Sequence, residues 1–158
     1  MQVFEVANGS IKSVMNQLLK GTAFDSFLVR GVEISVFTKF EISGILDKNY
    51  YSESERNEIN RNYILWNEIK SFALSLIKGG RTPNVLKIVF SIADDEVKTL
   101  HNNASAMFLN FLYEEGRLRF TTAVGLKNFS LDKSADIVWD TYVKEFFTKN
   151  RWSVSTLN

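Results

Sequence analysis

The spacing of apolar residues changes several times along this chain, and each change predicts an element. Met1 to Val6 reads as a short strand. Asn8-Gly9-Ser10 then supplies a helix start with Ser10 as its candidate cap, followed by Ile11, Val14, Met15, Leu18 and Leu19 at helical spacing and Gly21 at the expected stop. From Phe27 to Leu46 the period falls to two. Val32, Ile34, Val36, Phe40, Ile42 and Leu46 share one parity, and Glu33, Ser35, Lys39, Glu41 and Ser43 share the other, as half-buried strands do. The run is longer than the usual strand of about 5–6 residues, so breaks are expected near Gly31, Thr38-Lys39 and Gly44. The phase carries through Thr38, which leaves a single bent strand open.

Tyr50 to Asn62 is polar, with Ser52 and Glu55 spaced as a capping box, and reads as a solvated linker that is helical in part. Leu65, Trp66, Ile69, Phe72, Ala73, Leu76 and Ile77 mark the strongest helix, closed by Gly79-Gly80 and expected to be the central packing helix. Val85 to Ile92, apolar on both parities at its start, suits an interior strand. Asp94 to Leu100 suits a helical turn with acids at its start. Met107 to Tyr113 and Arg117 to Val124 flank Glu114-Glu115-Gly116 as a β-hairpin. Ser134 opens the last helix, striped by Val138, Trp139, Tyr142, Val143, Phe146 and Phe147, and residues after Trp152 are expected to fray.

This order predicts an α+β fold: an antiparallel sheet of about six or more strands in two meanders, packed with three main helices. A parallel βαβ fold would alternate strand and helix regularly, which this chain does not. A length of 158 residues suits one domain, 1–152, with a tail at 153–158. With 45% hydrophobic and 23% charged residues the chain carries enough apolar surface to fold without a partner.

Chemistry is scarcer than core. Thirteen Phe, five Tyr and three Trp stand beside one histidine and no cysteine, so disulfides and thiolate metal sites are excluded and most familiar catalytic constellations lack their members. The opening residues show no basic segment leading into an apolar one, and no run approaches the ~20 apolar residues of a membrane helix. The expectation is a cytoplasmic protein with no membrane partner, no metal and no cofactor.

The remaining motifs have plain structural explanations. His101 lies in a polar connection and reads as a surface-loop residue. Lys78-Gly79-Gly80-Arg81-Thr82-Pro83 mixes glycines, cations and a hydroxyl, but it follows a helix, whose negative end repels phosphate. Ser130-Leu131-Asp132-Lys133 has the Ser-x-x-Lys spacing of penicillin-recognising enzymes without their other elements. Asp94-Asp95-Glu96 lacks calcium-loop spacing and suits a helix start. A net charge of +1 offers no global field for nucleic acid. Regionally, however, Arg81 and Lys87, and then Arg117, Arg119 and Lys127, lie in acid-poor stretches whose strands, if adjacent, would present a modest basic face with Asn110, Thr121 and Asn128.

Four stretches carry a resemblance: Phe24 to Val29, Thr38 to Gly44, Trp66 through Leu76 to Pro83, and Met107 through Thr121-Thr122 to Ser134 with Trp139-Asp140. In these the chain resembles a family of small uncharacterised Firmicutes proteins, a domain of unknown function. That resemblance implies relatives and no activity. Where those relatives commonly read Ile-Asp-Gly this chain has Ile42-Ser43-Gly44, so that aspartate is not a shared catalytic group. Phe4-Glu5, Gly9 to Lys12 and the following amphipathic helix are similar to the opening of a DNA sliding-clamp domain. The order helix then meander, occurring over Ser10 to Leu46 and again over Leu65 to Val124, is similar to that domain's two halves. Three functions stay open at this point. The leading one is a non-enzymatic binding or assembly module with a protein partner or with itself. The others are an accessory nucleic-acid binder using Arg81, Lys87, Arg117, Arg119 and Lys127, and a small-molecule enzyme built from Asp, Glu, Lys and Tyr.

Overall fold

The alternating segments pair into one antiparallel sheet in the computed structural model, which describes residues 1–77 and 81–157. Its strands are β1 (Val3–Val6), β2 (Leu28–Ser35), β3 (Lys39–Ser43), β4 (Ile64–Leu65), β5 (Val85–Ser91), β6 (Ala104–Glu114), β7 (Arg117–Leu126) and β8 (Val154–Leu157). They lie in the order β3-β2-β5-β6-β7-β1-β8, with β4 added beside β2. The helices are α1 (Asn8–Leu19), α2 (Glu53–Glu58), α3 (Trp66–Ile77), α4 (Asp94–Leu100) and α5 (Ser134–Lys149). The fold is α+β as the pattern predicts, and α1, α3 and α5 are the three long helices.

The buried apolar residues of the central strands fall on one parity, while the buried Ser91 of β5 lies on the other. Leu86, Ile88 and Phe90 of β5, Leu109 and Phe111 of β6, and Leu118 and Phe120 of β7 face a single core with α1, α3 and α5 behind it. Two tryptophans tie that layer to the chain's backbone: Trp66 Nε1 donates to the Leu18 carbonyl at 2.7 Å, and Trp139 Nε1 donates to the Phe108 carbonyl at 2.8 Å. Each satisfies the one polar atom of a large buried ring. Phe24, in the turn between α1 and β2, is fully buried and meets the rings of Phe27, Phe90, Phe111, Phe120, Phe146 and Trp152, with centroids 5.3–6.3 Å away.

The long alternating run is a hairpin and not one bent strand: β2 and β3 pair from Gly31↔Ser43 to Ser35↔Lys39, and Val36 N–H donates to the Thr38 carbonyl to close the turn. The expected breaks near Gly31 and Gly44 have one cause. β2 bulges between Val29 and Gly31 against β5, and Gly44 lies against that bulge, its N–H donating to the Arg30 carbonyl at 3.2 Å. A Cβ on Gly44 would overlap the Val29 carbonyl oxygen and come within 2.6 Å of the Arg30 carbonyl carbon, so only glycine fits there.

Several expectations are corrected. Ser10 is inside α1, which starts one turn earlier behind Ala7, and its hydroxyl instead accepts from Ser153 N–H. α5 buries Ala135, Trp139, Val143 and Phe147, whereas α3 buries only Trp66 and Ala73 and leaves Phe72 65% exposed, so the central packing helix is α5. The β6–β7 turn has two residues and not three, because Glu114 pairs with Arg117. Both turn residues, Glu115 at φ 52° and Gly116 at φ 73°, are left-handed, as the two-residue hairpin of this hand requires. The tail expected to fray forms β8 against the outer edge of β1, from Val3↔Leu157 to Val6↔Val154. Backbone pairing carries it: Trp152, 6% exposed, anchors the segment in the aromatic cluster and β1 offers an unpaired edge. Ser52 and Glu55 form the reciprocal capping box of α2, and that segment buries no side chain. Gly79-Gly80, expected to close α3, lie outside the described residues.

Candidate functional site

A sheet with helices on one side has a second face, and here the parity opposite to the core defines it. Val85, Lys87 and Val89 of β5, Phe108, Asn110 and Leu112 of β6, Arg117, Arg119, Thr121 and Ala123 of β7, and Val3 and Glu5 of β1 point outward. The register aligns them in rows across the sheet. One row runs Glu41, Glu33, Lys87, Leu112, Arg119, Glu5, and the next runs Ser43, Gly31, Val89, Asn110, Thr121, Val3. Apolar side chains therefore occupy the middle of the face, and charges are interleaved among them. Gly31, having no side chain, leaves a dent of about 460 Å³ bordered by Glu33, Glu41, Lys87 and Val89.

The charges are grouped. On the β2–β3 side, Lys39 Nζ lies 3.2 Å from both Glu33 and Glu41, which raise its pKa, so that corner carries one excess negative charge. On the β7–β1 side, Glu5 takes Arg117 Nη2 at 2.6 Å and Arg119 Nε at 3.4 Å, and Glu114, cross-strand from Arg117 on the same face, brings this group to charge balance. The hydrogen bond from Arg117, helped by Arg119, holds the Glu5 carboxyl below the usual carboxylate range. Lys87 sits between them with no ion pair among the described residues.

Of the candidate anion-binding residues, Lys87, Arg117 and Arg119 share this face with Asn110 and Thr121. Lys87 and Arg119 both adjoin Leu112, which puts them about 10 Å apart across two strand spacings. Arg81 is elsewhere, bordering grooves with Leu76 and Ile77 of α3 on the helical side. Lys127 follows the far end of β7, about 30 Å from Arg117 along a ten-residue strand. The acids that composition hid are tertiary: Glu5, Glu33 and Glu41 come from strands distant in sequence.

His101 is half-buried and not a free loop side chain. Its Nδ1 accepts the Asn103 N–H at 3.1 Å, which leaves the neutral ring's proton on Nε2; Nε2 then donates to Ser134 Oγ at 2.8 Å, and that hydroxyl donates to Asp132 at 3.0 Å. A nucleophilic serine needs the reverse, an unprotonated ring nitrogen facing the hydroxyl. The Asp132–Ser134–His101 chain thus joins the end of α4 to the start of α5 and does not activate Ser134. Ser130 accepts from Asp132 N–H in the preceding loop and is not at a helix start, and no group of three metal-ligating side chains occurs among the described residues.

Sequence reasoning missed Arg30. It was hidden inside a strand, and only the bulge turns its side chain toward Tyr63 and Phe108, the guanidinium carbon lying 3.9 and 5.0 Å from their ring centres. Gly31 and Gly44 were the available signals, since glycines within a strand pattern mark bulges. No helix among the described residues is long and apolar enough to cross a membrane. No curated protein and no solved structure matches the chain. The model of a family of unknown function (DUF5721) matches residues 17–155, most of the sheet and all the long helices but the first turns of α1, and the chain belongs to that family.

Proposed function

We propose that the protein is a non-enzymatic assembly module that pairs with a second copy of itself through the open sheet face. The observation that carries this reading is the composition of that face: Val85, Val89 and Leu112 on the outward parity of the central strands, between the Glu33–Lys39–Glu41 corner with its excess negative charge and the arginine pair Arg117 and Arg119. A two-fold axis along the strands between β5 and β6 sets the β2–β3 side of one copy against the β7–β1 side of the other, with Glu33 toward Arg119. Aligned sheet packing brings the apolar rows together at about 10 Å.

Sedimentation equilibrium on the intact chain tests this. A dimer is expected, weakened by Leu112→Glu and by Arg119→Glu, with partial recovery when Arg119→Glu is combined with Glu33→Arg. A wild-type chain that stays monomeric at ~100 μM, well above the micromolar range of a weak specific interface, overturns it.

An accessory nucleic-acid role has less support. Lys87, Arg117 and Arg119 are neighbours, but Glu5 lies between the two arginines, and Arg81 and Lys127 are remote from them. A helix followed by antiparallel strands does occur twice, α1 before β2 and β3 and α3 before β5, β6 and β7 with α4 inserted, and α1 packs beside α3, which keeps a clamp-like use of the fold as the second reading. Filter binding at two salt concentrations separates the readings: affinity that falls steeply with salt favours the second.

A further inference from the structure

The bulge in β2 builds a second feature at the edge of the open face, and it does not depend on self-association. Arg30 Nε donates to Ser91 Oγ at 3.1 Å, and Ser91 is fully buried. Its guanidinium packs over the rings of Tyr63 and Phe108. Stacking and the Nε bond hold the plane of the group, while its two terminal nitrogens have no hydrogen-bond or ion-pair partner among the described residues. The side chain borders a cavity of about 180 Å³ whose wall includes Ser26, Asn60, Asn62, Tyr63, Asp94 and Asp95. Arg61, also on the wall, is already engaged by Glu68 at 2.8 Å and by the Tyr63 carbonyl at 2.9 Å. Neither Asp94 nor Asp95 reaches Arg30 within ion-pair distance.

A planar arginine held by its faces and by Nε presents two parallel N–H groups to a ligand, which suits a carboxylate taken bidentately. The two aspartates on the same cavity wall would repel a simple oxyanion such as phosphate and would favour a cationic group. We propose that this cavity binds a small zwitterion, a free α-amino acid, with its carboxylate on the terminal nitrogens of Arg30 and its ammonium toward Asp94 and Asp95. Size agrees: a cavity of about 150 Å³ in another protein takes benzene, so this one suits a ligand of roughly six to eight non-hydrogen atoms with any longer side chain directed to solvent. Tyr63 would flank the ligand's backbone, and Asn60 and Asn62 would supply further hydrogen bonds at the rim.

The test is a titration of the ¹⁵N-labelled intact chain with the common amino acids, and with acetate, methylammonium and inorganic phosphate as probes of each half of the ligand. Expected are saturable shifts at the amides of Arg30, Tyr63 and Asp95 with one or more amino acids. Acetate and methylammonium should each bind at least about tenfold more weakly, since each forgoes one charge-assisted contact. Arg30→Gln should abolish binding. Asp94→Asn with Asp95→Asn should bring acetate to within about threefold of the amino acid by removing the repulsion; these two residues are exposed, so that variant should keep its fold and decides the matter even if Arg30→Gln unfolds. No saturable response to any amino acid, phosphate or acetate binding as tightly as the best amino acid, or binding unchanged in the double aspartate variant, each overturns the proposal. Monomeric behaviour in sedimentation would leave it standing, and a dimer that binds no amino acid would overturn it alone.

Discussion

Phe24 is the side chain whose removal should be felt most for its size. It has no solvent exposure, and its ring stacks on Phe90, Phe120 and Trp152 and meets Phe111 and Phe146 edge-on. Phe24→Ala removes a buried ring from a site whose neighbours belong to four different elements and cannot all collapse inward, so the cost should lie in the range of about 3–5 kcal/mol. Phe24→Leu keeps most of the volume and loses only ring pairing, each pair worth about 0.5–1.5 kcal/mol and not additive, so a cost of about 1–3 kcal/mol follows. For a chain of this length 1 kcal/mol moves Tm by about 2–4 °C, so the alanine variant should melt roughly 6–20 °C lower. Urea unfolding followed by tryptophan fluorescence gives the free energies, with a slope unchanged if the transition stays two-state. Phe129→Ala is the control, because that ring is 89% exposed and its loss should cost no more than about 0.5 kcal/mol. A Phe24→Ala loss below about 1 kcal/mol, or one no larger than the control, would refute the aromatic cluster as the fold's anchor.

Other consequences follow from single observations. Glu115 holds a left-handed φ of 52° that costs an L-residue about 1–2 kcal/mol and asparagine less, so Glu115→Asn should raise Tm by about 2 °C in a thermal melt. A chain ending at Ser153 loses β8 but keeps Trp152, whereas one ending at Arg151 loses that ring as well; the second should be less stable than the first by about 3 kcal/mol or more in urea. Burial first and the Glu96 hydrogen bond second push the Tyr142 pKa far above its ordinary value, so its share of stability is present below about pH 10 and is lost as pH rises. Phenolate absorbance should show one of the five tyrosines ionising well after the rest, and Tyr142→Phe should remove that late step. Asp132 runs the other way: the Ser134 N–H and hydroxyl lower its pKa, so its contribution is present above the unfolded carboxylate range and is lost as pH falls. Asp132→Asn should flatten the acid limb of a pH–stability curve.

Spacing alone located the long helices and the main strands, though not β4 or β8, because it reports a local property, which side of a strand or helix is apolar. Val32 to Leu46 alternates, and β2 and β3 alternate; Ser52 and Glu55 are spaced as a capping box, and the box forms. The α+β class and the three long helices followed from the same periodicities. Ser10 misled because Asn8 and Gly9 already fit the first helical turn, and the 153–157 segment misled because its order comes from the free edge of β1, 150 residues away, and from Trp152 in the aromatic cluster.

The candidate site was legible only in halves. Acid-poor stretches marked Lys87, Arg117 and Arg119, and β5, β6 and β7 do set them on one face, yet Glu5, Glu33 and Glu41 arrive there by pairing that no local pattern encodes. Arg30 is the sharper case. By itself the sequence determined which residues are apolar, where the period changes and where glycine interrupts a strand, since these depend on near neighbours and on the chain's own stereochemistry. Only the tertiary structure decided the strand order, the unequal charge at the two corners of the open face, and the turning of Arg30 onto Tyr63 and Phe108, because each of these is a contact between segments whose separation along the chain leaves no periodic trace.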